Sequence, residues 1–197
     1  MNWDIFNEKI ASEEDAIDLI RQKRTAIGLL CPVCGNNDFQ FESCDKRWRC
    51  KSCGKSIKLT TGTVMFATQL PKLYWLKVIY CFAIKSDTTY TKDIAHIENK
   101  QQYLLSDLNL KIRLVVSKYI SQNRDMFRDI RYSEITPPTR IKNIEKFRQI
   151  YIDELIFKKS IEGCDDWTKF EKLLTICLSY QNEFRHNDYG KGTTPAK

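Results

Sequence analysis

The chain has 197 residues, 42% of them hydrophobic, which suits one domain of ordinary size or two small ones with a packed core. Seven glycines and five prolines are too few for a wholly disordered protein. No stretch approaches the roughly 20 apolar residues of a membrane-spanning helix, so we expect no membrane partner. The opening residues Asn2, Trp3 and Asp4 lack the basic segment of a signal peptide, which predicts a cytoplasmic protein with reduced cysteines.

The net charge is +7, and the excess lies in the middle of the chain. Residues 31–61 carry a net charge of +3 and residues 62–131 carry +5, whereas residues 1–30 carry −2. A basic surface favours nucleic acid, because neutralised phosphates release condensed counterions. The same charge also fits a protein with a mildly basic, solvated face.

Residues 1–30 are predicted to form a leading helix. Apolar positions recur at helical spacing between residues 12 and 23. Ser12 can cap this helix, and Asp15, three residues later, forms a variant of the capping box. Gly28 ends the segment just before the first cysteine pair.

Residues 31–61 are predicted to be a small β unit. Asp45 and Lys46 supply a turn within it. The three strand signals lie at residues 39–43, 47–50 and 56–59.

The strongest motif consists of two CxxC pairs, separated by fifteen residues: Cys31, Cys34, Cys50 and Cys53. Four thiolates suit tetrahedral zinc, and each pair supplies two of them from one tight turn. The glycine after each pair allows that turn to close with positive φ. We therefore predict a structural Zn²⁺ site in a zinc ribbon. Two redox pairs or an iron site of rubredoxin type are the alternatives.

Basic and aromatic side chains precede the second cysteine pair and make the hairpin a candidate nucleic-acid surface. The candidate DNA contacts there are Lys46, Arg47, Trp48 and Arg49. The alternative is that Trp48 packs over the zinc site while the charged side chains form a solvated face.

Residues 62–135 are predicted to form a helical domain with the order of a helix-turn-helix. A first helix starts at Pro71 and has its apolar residues spaced for packing on one side. A short helix is predicted at residues 90–97 and a long one at residues 101–121.

The start of that long helix carries the candidate base contacts Lys100, Gln101 and Gln102. In a helix-turn-helix these positions enter the major groove, where glutamine pairs with adenine and lysine with guanine. Any three-helix core gives a similar pattern, so this signal is weak by itself.

The sequence beyond residue 135 predicts a small C-terminal α or α/β unit at residues 139–186. A Thr-Pro-Pro-Thr linker at residues 136–139 precedes it. A strand is predicted at residues 151–157 and a helix at residues 166–184. Residues 187–197 are polar and predicted to be a disordered tail. The expected fold is therefore mainly α with a small β zinc ribbon.

Residues 8–125 resemble the N-terminal region of zinc-ribbon insertion-sequence transposases. Besides the cysteine pairs, the resemblance rests on an aromatic residue before the second pair, a Gly-Thr-x-Phe-like turn and a Pro-x-x-x-Trp helix start: Trp48, Gly62, Thr63, Phe66, Pro71 and Trp75. It implies a zinc ribbon followed by a helix-turn-helix that recognises the ends of a mobile DNA element.

That family's catalytic part is an RNase-H-like domain in which two Asp and a third Glu, Asn or His bind divalent metal. Residues 151–157 are similar in form to its opening strand, and Asp153 would be the first Asp. The Thr and Gly-Gly that follow in the family are missing, and 44 residues cannot hold the other ligands. We assign no catalytic residue and expect Asp153 to be a vestige or a surface residue on a short strand.

The expected function is zinc-dependent, sequence-specific binding of double-stranded DNA by a truncated or domesticated transposase-like protein that is not catalytic alone. The sequence leaves open whether the protein acts as a homodimer or together with a transposase partner. The alternatives are an active transposase component whose catalytic part lies elsewhere, an RNA-binding zinc-ribbon regulator, and a protein-interaction module.

Overall fold

The computed structural model describes residues 2–85, 102–130 and 145–179, with side chains from residue 104 and residue 148 onward in the last two ranges. These residues form the helices α1 Trp3–Lys9, α2 Glu13–Ile27, α3 Lys72–Ile84, α4 Gln102–Gln122, α5 Glu145–Ser160 and α6 Asp166–Ser179, a 3-10 turn Arg124–Phe127, and the strands β1 Phe39–Glu42, β2 Arg47–Cys50 and β3 Ser56–Lys58. The prediction of a mainly helical fold with a small β unit is confirmed. None of the described helices is both long and apolar enough to cross a bilayer.

Three of the predicted features lie outside the described residues. They are the short helix at residues 90–97, the linker at residues 136–139 and the tail at residues 187–197.

The start of α2 shows the predicted capping box. The hydroxyl of Ser12 accepts a hydrogen bond from the backbone N–H of Asp15 at 3.2 Å. The Asp15 carboxylate accepts one from the backbone N–H of Ser12 at 2.8 Å. The helix continues to Ile27 and ends at Gly28, whose φ of +93° favours glycine.

Helix α3 lies at the centre of the fold. It packs against α2, α4 and α6, so nine of its thirteen residues are buried, including Trp75 and Tyr80 at 0% exposure. The prediction that this helix packs on one side was wrong, because neighbours cover it all round. Its buried polar atoms have partners: the Trp75 indole donates to Thr68 at 2.9 Å and the Tyr80 hydroxyl to the Asn2 carbonyl at 2.6 Å.

The N-terminus of α3 is capped by a residue of α2. Pro71 precedes the helix and has no side chain that could accept a hydrogen bond. The two oxygens of the Glu13 carboxylate instead accept from the backbone N–H groups of Lys72 and Leu73, each at 2.8 Å. A carboxylate here also favours the positive end of the helix dipole.

The strand predicted at residues 151–157 is wrong, because these residues belong to α5. Asp153 and Glu154 are each 5% exposed on the face of α5 that packs against α4. The Asp153 carboxylate accepts hydrogen bonds from Ser117 and from Gln149, the latter at 2.8 Å. Asp153 is therefore a buried helical residue and not a surface residue on a strand.

The Glu154 carboxylate lies between two cations, the buried Arg113 and the half-buried Lys158. Its carboxylate accepts hydrogen bonds from the Arg113 guanidinium and from the Lys158 ammonium, the latter at 2.6 Å. Burial opposes ionisation of Glu154, but the two cations prevail and lower its pKa. The ionised carboxylate therefore stabilises the packing of α5 on α4.

We predict that Glu154→Gln lowers the free energy of unfolding by about 3–5 kcal/mol at pH 7, because Arg113 and Lys158 lose their buried counter-charge. Since folding lowers the Glu154 pKa, its contribution is complete above the ordinary value of 4.5 and disappears as the pH falls through the lowered value. Urea unfolding at neutral and acidic pH measures both effects.

The control is Glu162→Gln, which removes the partner of Lys159 from an ion pair whose side chains are 53% and 68% exposed. Exposed pairs contribute little, so this variant should unfold close to the wild-type midpoint. Equal losses in the two variants would contradict a stabilising role for the buried charges.

Candidate metal centre

The two cysteine pairs adopt the same turn. The glycines after them, Gly35 and Gly54, have φ of +70° and +72°. Each glycine N–H donates to the carbonyl of the first cysteine in its pair, Cys31 or Cys50, at 2.9 Å. The N–H of that cysteine donates to the carbonyl of the residue after the glycine, again at 2.9 Å. Each turn therefore directs two thiols toward one point.

The sheet brings the two turns together. Strand β2 pairs antiparallel with β1 on one side and with β3 on the other. Cys50 ends β2 opposite Phe39, the first residue of β1, which follows the first turn. Both cysteine pairs consequently lie at the same end of the sheet.

The four thiols converge as zinc requires. The Sγ atoms of Cys31 and Cys53 are 3.5 Å apart, those of Cys34 and Cys50 are 3.6 Å apart, and all four lie within 4.8 Å of one another. A tetrahedron with Zn–S bonds of about 2.3 Å has edges of about 3.8 Å. In the part of the chain that the structure describes, no other three or more potential ligands converge in this way.

The donor set indicates a structural site. All four positions of the tetrahedron are filled by cysteine, which leaves no open position for a substrate or water. Cys31 and Cys50 are buried, whereas Cys34 and Cys53 are exposed. Neither pair starts a helix, in contrast to the arrangement expected of redox CxxC pairs. Iron in the same tetrahedron of thiolates stays an alternative.

The pKa values of the Cys31 and Cys34 thiols shift in opposite directions, because the two thiols lie close together and have different hydrogen-bond partners. Burial opposes ionisation of Cys31, but hydrogen bonds from the backbone N–H groups of Cys34 and Val33 lower its pKa to about 6. The backbone of Asn36 favours the Cys34 thiolate, yet burial and the neighbouring cysteine sulfurs raise its pKa to about 12. A bound dication would reduce the electrostatic repulsion among four thiolates at this distance.

Arg24 of α2 attaches the ribbon to the helical body. Its guanidinium donates to the carbonyls of Lys58 and Leu59 at 3.2 and 2.6 Å and lies 5.1 Å from the centre of the Trp48 ring. Arg24 is 7% exposed, and burial lowers its pKa to about 10, so it stays charged at neutral pH. Arg24 was not predicted as a structural residue from the sequence, because nothing in the local pattern of α2 marks it as buried.

The role of Trp48 as a DNA contact needs correction. Its side chain is 3% exposed and packs edge-to-face against Phe41, with ring centres 5.2 Å apart. The Arg24 guanidinium lies over the same Trp48 ring. Trp48 is therefore a buried residue that packs within the sheet unit, and its burial argues against a direct DNA contact.

The basic side chains predicted to contact DNA in the hairpin already have acidic partners. Glu42 was not anticipated as a shared partner, because it lies on the neighbouring strand. The ion pairs are Lys46 with Glu14 at 2.6 Å, Arg47 with Glu42 at 3.0 Å and also with Asp45, and Arg49 with Glu42 at 2.6 Å. Arg49 and Arg47 together lower the pKa of Glu42.

The candidate base contacts are only partly within the described residues. Lys100 and Gln101 lie outside them, and Gln102 begins α4 with a side chain that the structure does not describe. Further along, α4 is packed by α3, α5 and α6. The helix-turn-helix contacts therefore stay a prediction.

We predict one zinc ion per chain and its loss in Cys31→Ser and in Cys50→Ser, because three thiolates bind zinc less tightly than four. Elemental analysis of purified protein measures the stoichiometry and separates zinc from iron. Cys44→Ser is the matched control: this exposed cysteine lies outside the cluster and should keep the full metal content. Less than about half an equivalent in a folded wild type would contradict the assignment.

Comparison with known proteins finds one family. Residues 11–56 match the family model described as the transposase zinc-ribbon domain. No curated protein and no solved structure matches the chain. The matched segment runs from just before α2 to the first residue of β3 and contains all four cysteines. For this segment, the resemblance to zinc-ribbon transposases is thereby confirmed.

Proposed function

We propose that this protein is a zinc-dependent, sequence-specific binder of double-stranded DNA that resembles the N-terminal part of a transposase. The observation that carries the proposal is the match of residues 11–56 to a transposase zinc ribbon, together with the four converging thiols. The charge excess in residues 31–131 supports it. A cytoplasmic location and a homodimer or transposase partner belong to the same proposal.

The sequence-reading part of the interface is the N-terminal end of α4. The middle of this helix packs against α3, α5 and α6, so we assign the base contacts to its first residues. A recognition helix reads bases chiefly with its first residues, and a helix N-terminus also favours phosphate. The residues at the start of this helix in the sequence are the candidate base contacts Lys100, Gln101 and Gln102.

The zinc ribbon contributes contacts that do not depend on sequence. Arg47 and Arg49 are 36% and 50% exposed, but a phosphate has to compete with Glu42 for both. Lys55 and Lys58 are exposed, and neither forms an ion pair with another described residue. These two lysines are therefore the ribbon cations most available to the DNA backbone.

For the phosphate contacts, we expect Lys55→Ala with Lys58→Ala to weaken binding to every duplex and to reduce the salt slope by about 0.9 for each phosphate that is no longer neutralised. Glu42→Gln should strengthen binding to every duplex, because Arg49 loses its acidic partner and Arg47 loses one of its two. The measurement is a salt titration with a duplex selected from a random pool and with its scrambled counterpart. Lys159→Ala on α5 is the control and should change neither affinity nor slope.

For the base contacts, we expect Gln102→Ala to cost about 1–3 kcal/mol on the selected duplex and nothing on the scrambled one. The same titration provides the comparison. If random-pool selection enriches no sequence, or if wild-type protein ignores DNA at about 100 mM salt, the proposal fails.

The isolated chain is expected not to cleave or join DNA. Both Asp153 oxygens accept hydrogen bonds from protein donors, and the residue is 5% exposed. We predict no nicking of supercoiled plasmid with Mg²⁺ or Mn²⁺ present. Metal-dependent nicking that disappears in Asp153→Asn would show instead that this carboxylate is catalytic.

A second candidate function is a protein-interaction module in which zinc only holds the fold. It is favoured by the pairing of Lys46, Arg47 and Arg49 with acidic residues, which removes much of the free positive charge from the hairpin. Absence of salt-dependent binding to any nucleic acid would support this candidate. Preference for single-stranded RNA over duplex DNA would instead identify an RNA-binding ribbon.

A further inference from the structure

A groove of about 820 Å³ lies between the zinc ribbon and the helical core. It adjoins the metal centre, because Cys31 and Gly35 of the first cysteine turn line it together with the end of α2. Phe66, in the loop between β3 and α3, also belongs to the lining. That loop is fixed to α6 by the Val64 N–H, which donates to the Cys177 carbonyl at 3.1 Å. The groove is therefore preformed, and its size suits a bound ligand or peptide segment.

Exposed apolar side chains are concentrated in this groove. Of the five large hydrophobic side chains that are exposed among the described residues, three line it: Ile27 at 37%, Leu30 at 60% and Phe66 at 43%. The partly buried Leu29 and the buried Ile57 add further apolar surface. A gathered apolar surface of this kind marks an interaction site.

The groove also contains a cation for which the described residues offer no counter-charge. Arg24 is 7% exposed and lines the groove, and none of the other described lining residues is acidic. Its Nη1 atom donates both of its hydrogen bonds, so Nε and Nη2 have no acceptor among the described residues. Burial lowers the Arg24 pKa, and no carboxylate of the described chain opposes that effect. A carboxylate engages an arginine through two such N–H groups, so the groove offers a place for an acidic group.

The main chain of the link between α2 and the first cysteine turn is open to a partner. Residues 28–30 belong to neither a helix nor a strand. The backbone N–H and C=O groups of Leu29 and Leu30 form no hydrogen bond with the rest of the described chain. Another peptide main chain can satisfy such groups, as it does when a strand is added to a sheet. Duplex DNA offers no alternating N–H and C=O groups, so this link favours a peptide.

We propose that the groove binds a segment of a partner protein in which an acidic side chain stands between large apolar ones. Its carboxylate pairs with Arg24, its apolar side chains cover Leu30 and Phe66, and its main chain bonds to that of residues 28–30. Lys55 and Lys58, the cations proposed to contact the DNA backbone, do not line the groove. This peptide site is therefore additional to the proposed DNA interface.

Selection from a random library of short peptides tests the proposal, with the zinc-loaded full chain as the target. We expect the enriched peptides to contain aspartate or glutamate next to leucine, isoleucine or phenylalanine. One enriched peptide and its twin, in which the acid is replaced by the matching amide, are then compared by fluorescence polarisation. The amide twin should bind about tenfold more weakly, because it cannot form the ion pair with Arg24.

Two variants assign the binding to the groove. Phe66→Ser should weaken both peptides by about tenfold and keep the ratio between them, because it removes apolar surface only. Arg24→Gln should remove the preference for the acidic peptide. Met126→Ser is the matched control, since Met126 is exposed but lies outside the groove. Full zinc content verifies that the ribbon stays folded; if Arg24→Gln loses its zinc, Phe66→Ser and the amide twin decide the question.

The proposal is overturned if the library yields no binding peptide, if the acidic and amide peptides bind equally, or if Phe66→Ser binds both as tightly as Met126→Ser does. A dimer in sedimentation velocity that Phe66→Ser dissociates, without any enriched peptide, would assign the groove to a second copy of the chain instead. Every measurement is made without DNA, so failure of this proposal is distinguished from failure of the DNA-binding proposal.

Discussion

Burial of α3 on every side is the constraint on which the rest of the fold depends. A helix with no polar face cannot be left partly covered, so α2, α4 and α6 must surround it. One continuous hydrophobic cluster accordingly joins Phe6 of α1 to Leu178 of α6. The helices on both sides of the zinc ribbon, and those near the C-terminal end of the described chain, thus share a single core, to which the ribbon adds Trp48 and Leu59.

Features set by a few neighbouring residues were predictable from sequence, and features set by distant contacts were not. The four metal ligands and the capping box at Ser12 arise from turns that six residues or fewer define. Arg24 and Glu42, by contrast, acquire their roles from partners on other elements. The strand predicted at residues 151–157 was wrong for the same reason: Arg113 and Ser117 of α4 provide partners for Glu154 and Asp153 inside the core.

Two interactions of different kinds help to hold the ribbon in place. The thiol cluster closes the ribbon upon itself by joining its two cysteine turns. Arg24 joins the ribbon to α2 through the carbonyls of Lys58, the last residue of β3, and of Leu59, and through the face of Trp48. Because the second attachment is buried and charged, its loss would leave an unsatisfied guanidinium and two unsatisfied carbonyls. The cations of the ribbon are consequently presented at a fixed position relative to the end of α3 and its neighbours.

Glu13 gives the ribbon one further property. By capping the backbone of Lys72 and Leu73, it ties the first turn of α2 to the first turn of α3, about sixty residues later in the chain. The zinc ribbon lies in the chain between these two fastened turns, after the rest of α2 and before the loop that leads into α3. We expect the turn between β1 and β2, around Cys44, to tolerate insertions and deletions during evolution. Changes of length there leave the two fastened helix starts, and so the packing of the helices, as they are.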